Sequence, residues 1–376
     1  MAVIGGGSIV SAGIASTGFI YTRTPTRALR PWVDAGTIYT EPRKRALSYA
    51  ILAPNPHNRQ PWLVDLSKEG EISLFVDTSK LLPHTDPFSR QITIGLGCFL
   101  ELLRMAAAQD GYRASIDAFP DGYTNKSLDK RLIARVKIQK DASIKKDTLF
   151  AHVLNRRTLR EMYDLERRVP DHVLEKLTEV VGNGVSVGTT NDETRVQRVR
   201  DLTHQATEIE MRTPRTNKES IDLVRIGKSE IEANPDGISL SGAKFEMLNA
   251  AGLMSIQDAL EPGTSTFQQT LAGLLAKGDT AMGYIWLVTK TNTRLDQLNA
   301  GRDWIRINLA TTAQGVGVHP MSQALQEYGE MSGLYKECHK VLAPDGGTVQ
   351  MLGRLGYAKH VEPSPRWALE TKIIKS

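Results

Sequence analysis

Three guanidinium groups fall within five residues, at Arg156, Arg157 and Arg160, with the Thr158 hydroxyl between them. Each guanidinium is a planar fork of donors that matches a pair of phosphate oxygens, so the cluster can hold a phosphate. The same letters also spell an N-terminal capping box, Thr158 with Glu161 three residues on, beside which the arginines would simply be solvated. A second polar concentration runs Pro54-Asn55-Pro56-His57-Asn58-Arg59-Gln60-Pro61. Its prolines forbid helix, because each removes an N–H and biases the preceding residue away from the α region. What remains is a stiff polar connection suited to a flat polar ligand or to a tight structural turn. Two further positions stand out: Gly301, early in a helical stretch, and Arg366, in Ser364-Pro365-Arg366.

The pattern of apolar residues supplies elements to position these groups. A helix over 42–52 leads into the proline-rich loop, and strands over 62–66 and 72–76 follow, joined by Ser67-Lys68-Glu69-Gly70. A long helix over 89–109 carries a broad apolar face and ends at Gly111, before strands over 112–119 and 132–138. After a charged break, helices are expected over 148–155 and beyond Pro170-Asp171, then a strand over 185–188. Helices over 193–212 and 218–227, a loop over 228–242 and a helical pair over 243–260 and 264–277 come next. A strand over 281–289, helices over 293–314 and 335–342, a strand over 348–352 and an extended tail complete the chain. Gly315-Val316-Gly317 follows a helix and does not complete a dinucleotide fingerprint.

Composition narrows the function. A chain of 376 residues with 40% hydrophobic and 24% charged residues is an ordinary globular protein large enough for two cores. The net charge of +5 is spread along the sequence, so no nucleic-acid stripe emerges. Scattered histidines give no metal site, and Cys98 and Cys338 read as buried thiols. Residues 2–22 carry no charge and are rich in glycine. That segment is similar to the hydrophobic part of a twin-arginine export signal, which implies a periplasmic or exported protein with an N-terminal membrane or export-machinery contact. The alternative is a disordered cytoplasmic N-terminus, and residues 22–42 read as a polar linker.

Residues Ala53 to Trp62 resemble the APSxxNxQPW segment of the nitroreductase-like flavoproteins, with Asn55 replacing the serine. Arg156-Arg157-Thr158-Leu159-Arg160 resembles that family's RRSxR motif, and Ser364-Pro365-Arg366 resembles its C-terminal arginine. The resemblance implies an FMN cofactor. Arg156, Arg157, Arg160 and Arg366 would anchor its phosphate; Thr158, Asn55 and Asn58, with Pro54 and Pro56, would line its polar parts; and the backbone N–H around Gly301 would face flavin N5. It also implies an α+β, nitroreductase-like fold of antiparallel-rich mixed sheets flanked by helices. The order of elements is similar to two such subunits fused in one chain, as in the Acg-type subgroup. The expected division is 1–39 signal-like segment and linker, 40–145 first half, and 146–376 second half with an insertion at 213–277. Such an internal pseudo-dimer would be a monomer with one FMN. The implied activity passes a hydride from NADPH or NADH through the flavin to a small-molecule acceptor, a nitroaromatic or quinone, and no side chain is assigned as acid or base. The alternative is a flavin-sequestering protein lidded by the insertion.

Overall fold

The computed structural model describes residues 23–242, 245–247 and 257–374. The signal-like segment 2–22 and much of the expected helix over 243–260 therefore lie outside the described residues. The first described element is a helix, α1 (Thr26–Asp34), within the stretch read as a polar linker. It forms because Ala28, Pro31 and Trp32 share a buried side, so docking overrides the poor local propensity of a helix containing proline.

Next come α2 (Pro42–Ala50), β1 (Trp62–Asp65), β2 (Glu71–Val76), α3 (Arg90–Gln109), β3 (Tyr112–Ala118) and β4 (Ala134–Lys140). Pro42 opens α2 at a position whose N–H has no helical partner, and the Glu41 carboxylate accepts from the Arg43 and Lys44 amides. The four strands form an antiparallel sheet in the order β1-β2-β4-β3. The expected helix over 148–155 shrinks to a single 3-10 turn, Thr148–His152, which leaves the arginine motif irregular.

The second half follows with α4 (Asp171–Thr178), β5 (Ser186–Thr190), α5 (Glu193–Arg212), α6 (Pro214–Ile221), β6 (Val224–Ile226), α7 (Gly227–Ala233), β7 (Ile238–Leu240), α8 (Ser265–Asp279), β8 (Gly283–Thr289), α9 (Arg294–Ala313), β9 (Gly317–Pro320), α10 (Ser332–Leu342) and β10 (Thr348–Gly356). Its sheet is antiparallel in the order β5-β8-β10-β9. The insertion departs from its sequence reading. Pro214 starts α6 four residues earlier than the apolar pattern suggested, and the stretch read as a loop holds α7 and β7, which pairs in parallel with β6.

Both sheets place their strands alike. The first strand lies at an edge after a short helix, the second inside, the third at the far edge after a helix of 20 residues, and the fourth inside. The long helices α3 and α9 cross at two glycines. A Cβ built on Gly97 would stand 2.1 Å from the Leu298 carbonyl oxygen, and one on Gly301 would stand 1.9 Å from that of Ile94. The contacts are reciprocal, as two related helices meeting at one crossing require, and the Cys98 thiol donates to the Gly301 carbonyl at 3.1 Å. One apolar cluster runs through the crossing, from Phe99 and Leu103 to Ile305 and Leu309.

Because backbone faces each glycine, a methyl group there must separate the helices. Gly301→Ala is expected to cost about 3 kcal/mol or more, the upper range for overpacking. Urea unfolding measures this as a fall in midpoint at unchanged slope; a loss under about 1 kcal/mol would contradict so close a crossing.

Candidate functional site

The proline-rich loop folds into a strained shape. His57, Asn58 and Gln60 have φ of 46°, 51° and 50°, the left-handed region that residues with a Cβ seldom adopt. Such strain persists only where the surroundings over-determine it. Here three distant segments do so. Gln60 donates from Nε2 to the Pro235 carbonyl at 2.6 Å and accepts the Trp367 amide at 2.9 Å, while Lys372 Nζ donates to the Gln60 carbonyl at 2.8 Å. Arg59 donates to the Ser79 and Lys80 carbonyls, and the buried Asp236 carboxylate draws in Lys80 at 2.6 Å and Arg59 at 3.7 Å. The Gly237 amide donates to the Asn58 carbonyl, so the insertion and the C-terminal tail both dock on this loop.

At the start of the loop, α2 ends and presents the carbonyls of Ile51, Leu52 and Ala53. Arg366 gathers them: Nε donates to Ile51 O at 3.0 Å, and Nη2 to Leu52 O and Ala53 O, both at 3.1 Å. Its Nη1 reaches Asn58 Oδ1 at 2.7 Å. Arg156 joins from the other side with Nη2 at 3.3 Å from Leu52 O. Arg157 is half-buried and donates to the Val361, Leu154 and Arg156 carbonyls. The Trp32 ring of α1 lies across all three guanidinium groups, 5.9 Å from Arg156, 5.0 Å from Arg157 and 5.4 Å from Arg366.

Among the described residues no carboxylate pairs with these three arginines. Arg156 is 4% exposed and Arg366 3%, and Arg156 Nη1 is a buried donor with no partner. Burial and the adjacent Arg157 charge push the Arg156 guanidinium down to about 10. Burial, then the Arg156 and Arg157 charges, hold Arg366 well below the usual arginine range. Buried like charges with an unmade hydrogen bond are costly, and an anion seated among them would offset both terms.

The corner that occupies the same place in the second half is built differently. There α4 precedes edge strand β5, as α2 precedes β1, and Arg306 Nε donates to the Val180 carbonyl at 2.6 Å. Its charge is already matched by Asp147 at 2.6 Å and Glu101 at 3.1 Å, and Glu101 also pairs with Arg104 and Arg302. In that corner the protein itself supplies carboxylates to pair with its arginines.

The structure thus brings together Arg156, Arg157, Arg366 and Asn58. Pro54 and Pro56 are half-buried in the same loop, and Thr158 is half-buried next to Arg157. Arg160 is exposed by surface area, yet desolvation lowers its guanidinium and its charge is felt at His57 of the loop and at His319, while the preceding Leu159 amide donates to the Val318 carbonyl at 3.0 Å. Asn55, expected to orient a ligand, braces the loop: Oδ1 accepts the Gln60 amide at 2.7 Å and Nδ2 donates to the Ala53 carbonyl at 3.1 Å. Gly301 lies within α9, with Ile94 and Gly97 against it, and its place is the helix crossing. Sequence reasoning missed Trp32, whose only signal was an indole within a stretch that otherwise read as solvated. It also missed His319, which accepts from Arg354 Nε at 3.0 Å through Nδ1.

No family model matches the chain. Among curated proteins it is similar to "Putative NAD(P)H nitroreductase acg" of Mycobacterium tuberculosis strain H37Rv, with 33% identity over 84 residues, which is 22% of this chain and 25% of that protein's length. A second relative of the same description and strain is 25% identical over 347 residues, 90% of this chain and 92% of the relative. The resemblance read from the motifs is therefore shared along most of the chain. Among solved structures, the FMN-dependent nitroreductase NfnB of Mycobacterium smegmatis in complex with NADPH aligns at 16% identity and a TM-score of 0.37, covering 61% of this chain and 98% of that one. A nitroreductase with bound FMN from Desulfitobacterium hafniense aligns at 16% identity and a TM-score of 0.36, covering 62% and 100%.

His57 offers a direct test of the loop. Burial, opposed by Glu219 and aided by the Arg59 and Arg160 charges, lowers its imidazole from the ordinary 6.5 to about 4. Between these values the unfolded chain binds more protons than the folded one, so stability falls as pH drops through this window. His57→Asn, which suits the left-handed backbone, should flatten thermal melting temperature against pH between about 4 and 6.5. An unchanged slope would remove His57 as its source.

Proposed function

We propose that this chain is an FMN-dependent oxidoreductase of the nitroreductase type, with one flavin site, at the corner formed by Arg156, Arg157 and Arg366. The observation that carries this reading is the pair of buried guanidinium groups, Arg156 and Arg366, with half-buried Arg157 beside them, no ion-paired carboxylate among the described residues and an unpartnered Arg156 donor. A phosphate monoester fits it, because its oxygens would satisfy that donor and balance the charge. The descriptions of the curated relatives and the FMN named with the aligned structures agree with that chemistry.

Bound FMN would supply the redox chemistry, accepting a hydride from NADPH or NADH and passing electrons to a nitroaromatic, quinone or similar flat acceptor. The chain's residues supply position and charge. Arg156, Arg157 and Arg366 hold the phosphate, and Thr158 adds a hydroxyl beside them. Asn58 fixes Arg366, and the strained loop keeps Pro54 and Pro56 at the edge of the site. Arg160 places an exposed positive charge next to half-buried His57 and His319, where it would stabilise negative charge developing on a bound group. The second corner has Arg306 already ion-paired with Asp147 and Glu101, unlike the first, which supports one flavin per chain.

One observation favours a second reading, a protein that holds flavin without turnover. Asp236 and Gly237 anchor the insertion directly on the loop, which would narrow access to any ligand there. The visible spectrum of the purified protein separates the two. Flavin bands that bleach on anaerobic addition of NADPH or NADH mark an oxidoreductase; bands that persist mark sequestration; and no bands even after added FMN would overturn both. Arg157→Ala should weaken FMN binding about tenfold, the lower range for a charged hydrogen bond, with little change in melting temperature of the flavin-free protein. Unchanged affinity would remove Arg157 from the site.

A further inference from the structure

We infer that Arg160, Lys277 and His319 form a second anion subsite, apart from the phosphate corner, which takes the carboxylate of an acidic electron acceptor such as a nitrobenzoate. This rests on the flavin reading above and concerns which acceptor is taken.

The three side chains come from different segments, and one buried arginine joins them. Arg354 of β10 donates through Nη2 to the Glu161 carbonyl at 2.7 Å, through Nη1 to the Lys277 carbonyl at 2.6 Å, and through Nε to His319 Nδ1 at 3.0 Å. Its guanidinium lies 4.0 Å from the Tyr163 ring and forms no ion pair among the described residues. The end of the arginine motif, the last turn of α8 in the insertion and strand β9 are therefore held around one cation. Within the motif, buried Leu159 divides this group from the phosphate corner. Its amide is bonded to the Val318 carbonyl, next to His319, with Arg156 and Arg157 before it and Arg160 after it.

What the group offers is free donors. An arginine has no acceptor, so His319 Nδ1 takes the Arg354 bond, and the neutral ring carries its proton on Nε2, which has no partner among the described residues. Burial, then the Arg354, Arg160 and Lys277 charges, hold the His319 imidazole well below its ordinary range, so that form persists through neutral pH. The side-chain nitrogens of Arg160 and Lys277 likewise make no hydrogen bond or ion pair among the described residues. Burial lowers the proton affinity of both, yet Arg160 is exposed and Lys277 and His319 are half-buried, as groups in the wall of an open recess are. The carboxylate felt at Arg160, Lys277 and Arg354 is that of exposed Glu161, one negative charge against three cations. The dry phosphate corner suits a resident cofactor, and these open donors suit a ligand that comes and goes. A carboxylate fits them, because its two oxygens accept from the fixed Nε2–H and from both flexible cations at once. An uncharged acceptor of the same shape leaves the cations unmatched.

The test is isothermal titration calorimetry of FMN-loaded full-length protein, without reductant, with para-nitrobenzoate and with its uncharged isostere para-nitrobenzamide. Wild-type protein should bind the carboxylate about tenfold more tightly than the amide, the lower range for a charged hydrogen bond, and the difference should shrink as salt is raised. In Lys277→Gln the two should bind within about twofold of each other, through loss of affinity for the carboxylate alone, whereas Lys277→Arg, which keeps the charge, should retain the preference. Melting temperature and retained FMN establish that each variant is folded and loaded. Wild-type protein that binds both compounds alike, or neither, overturns the inference, as does a preference that survives in Lys277→Gln. A preference for NADPH over NADH that Lys277→Gln abolishes, with the two nitro compounds bound alike, assigns the subsite to a donor phosphate and likewise overturns it. Protein that takes up no FMN overturns the flavin reading instead.

Discussion

The approach of α3 to α9 is the constraint on which the remainder depends. Two glycines let the helix backbones meet at a distance no side chain would allow, while each long helix also packs against the sheet of its own half. Because the contact is reciprocal, it fixes the two halves relative to each other in a single register. The start of α3 also sets the loop: a Cβ at Gly95 would come 2.9 Å from Asn55 Cβ, so the loop lies against the same helix that makes the crossing. A shift at the crossing would reach the arginine corner through one rigid element.

The corner itself is an unfavourable arrangement held by favourable ones. Arg156 and Arg366 share a nearly dry space with half-buried Arg157 beside them, and apart from the unpartnered Arg156 Nη1 their donors go mostly to backbone carbonyls rather than to carboxylates. Carbonyl dipoles compensate a cation only partly, which is why burial still lowers the affinity of these groups for protons. The corresponding corner of the second half differs: there Glu101 and Asp147 pair with Arg306. The contrast between the two corners is more informative than either alone, since the same scaffold pairs its arginine with carboxylates in one place and not in the other.

Much of the scaffold was legible in the sequence because it obeys local rules. Alternation gave most of the strands, and an unbroken apolar face gave α3 and α9 to within a residue or two. The arginine motif and the tail arginine were legible through their resemblance, and they do converge. What escaped was set by tertiary contact. Helix α1 contains a proline and reads as a linker until Trp32 finds its guanidinium partners. Stretch 228–242 reads as loop because α7 and β7 are short and gain their stability from α1, β6 and the buried Asp236. Gly301 drew attention through the resemblance, as a backbone donor toward flavin N5, whereas its close approach to another helix left no sign in the sequence.

The corner also fixes when it can form. Trp32 and Ser364, which meet through one hydrogen bond, are separated by 332 positions, and Arg366 reaches back 314 positions to Leu52. During synthesis the first sheet and α3 can assemble long before those partners leave the ribosome. The strained loop, which needs Trp367 and Lys372 to hold it, waits equally long. The corner is thus completed only in the last moments of biosynthesis or later, and a nascent chain interrupted before residue 366 would carry most of the scaffold while lacking the tail that closes it.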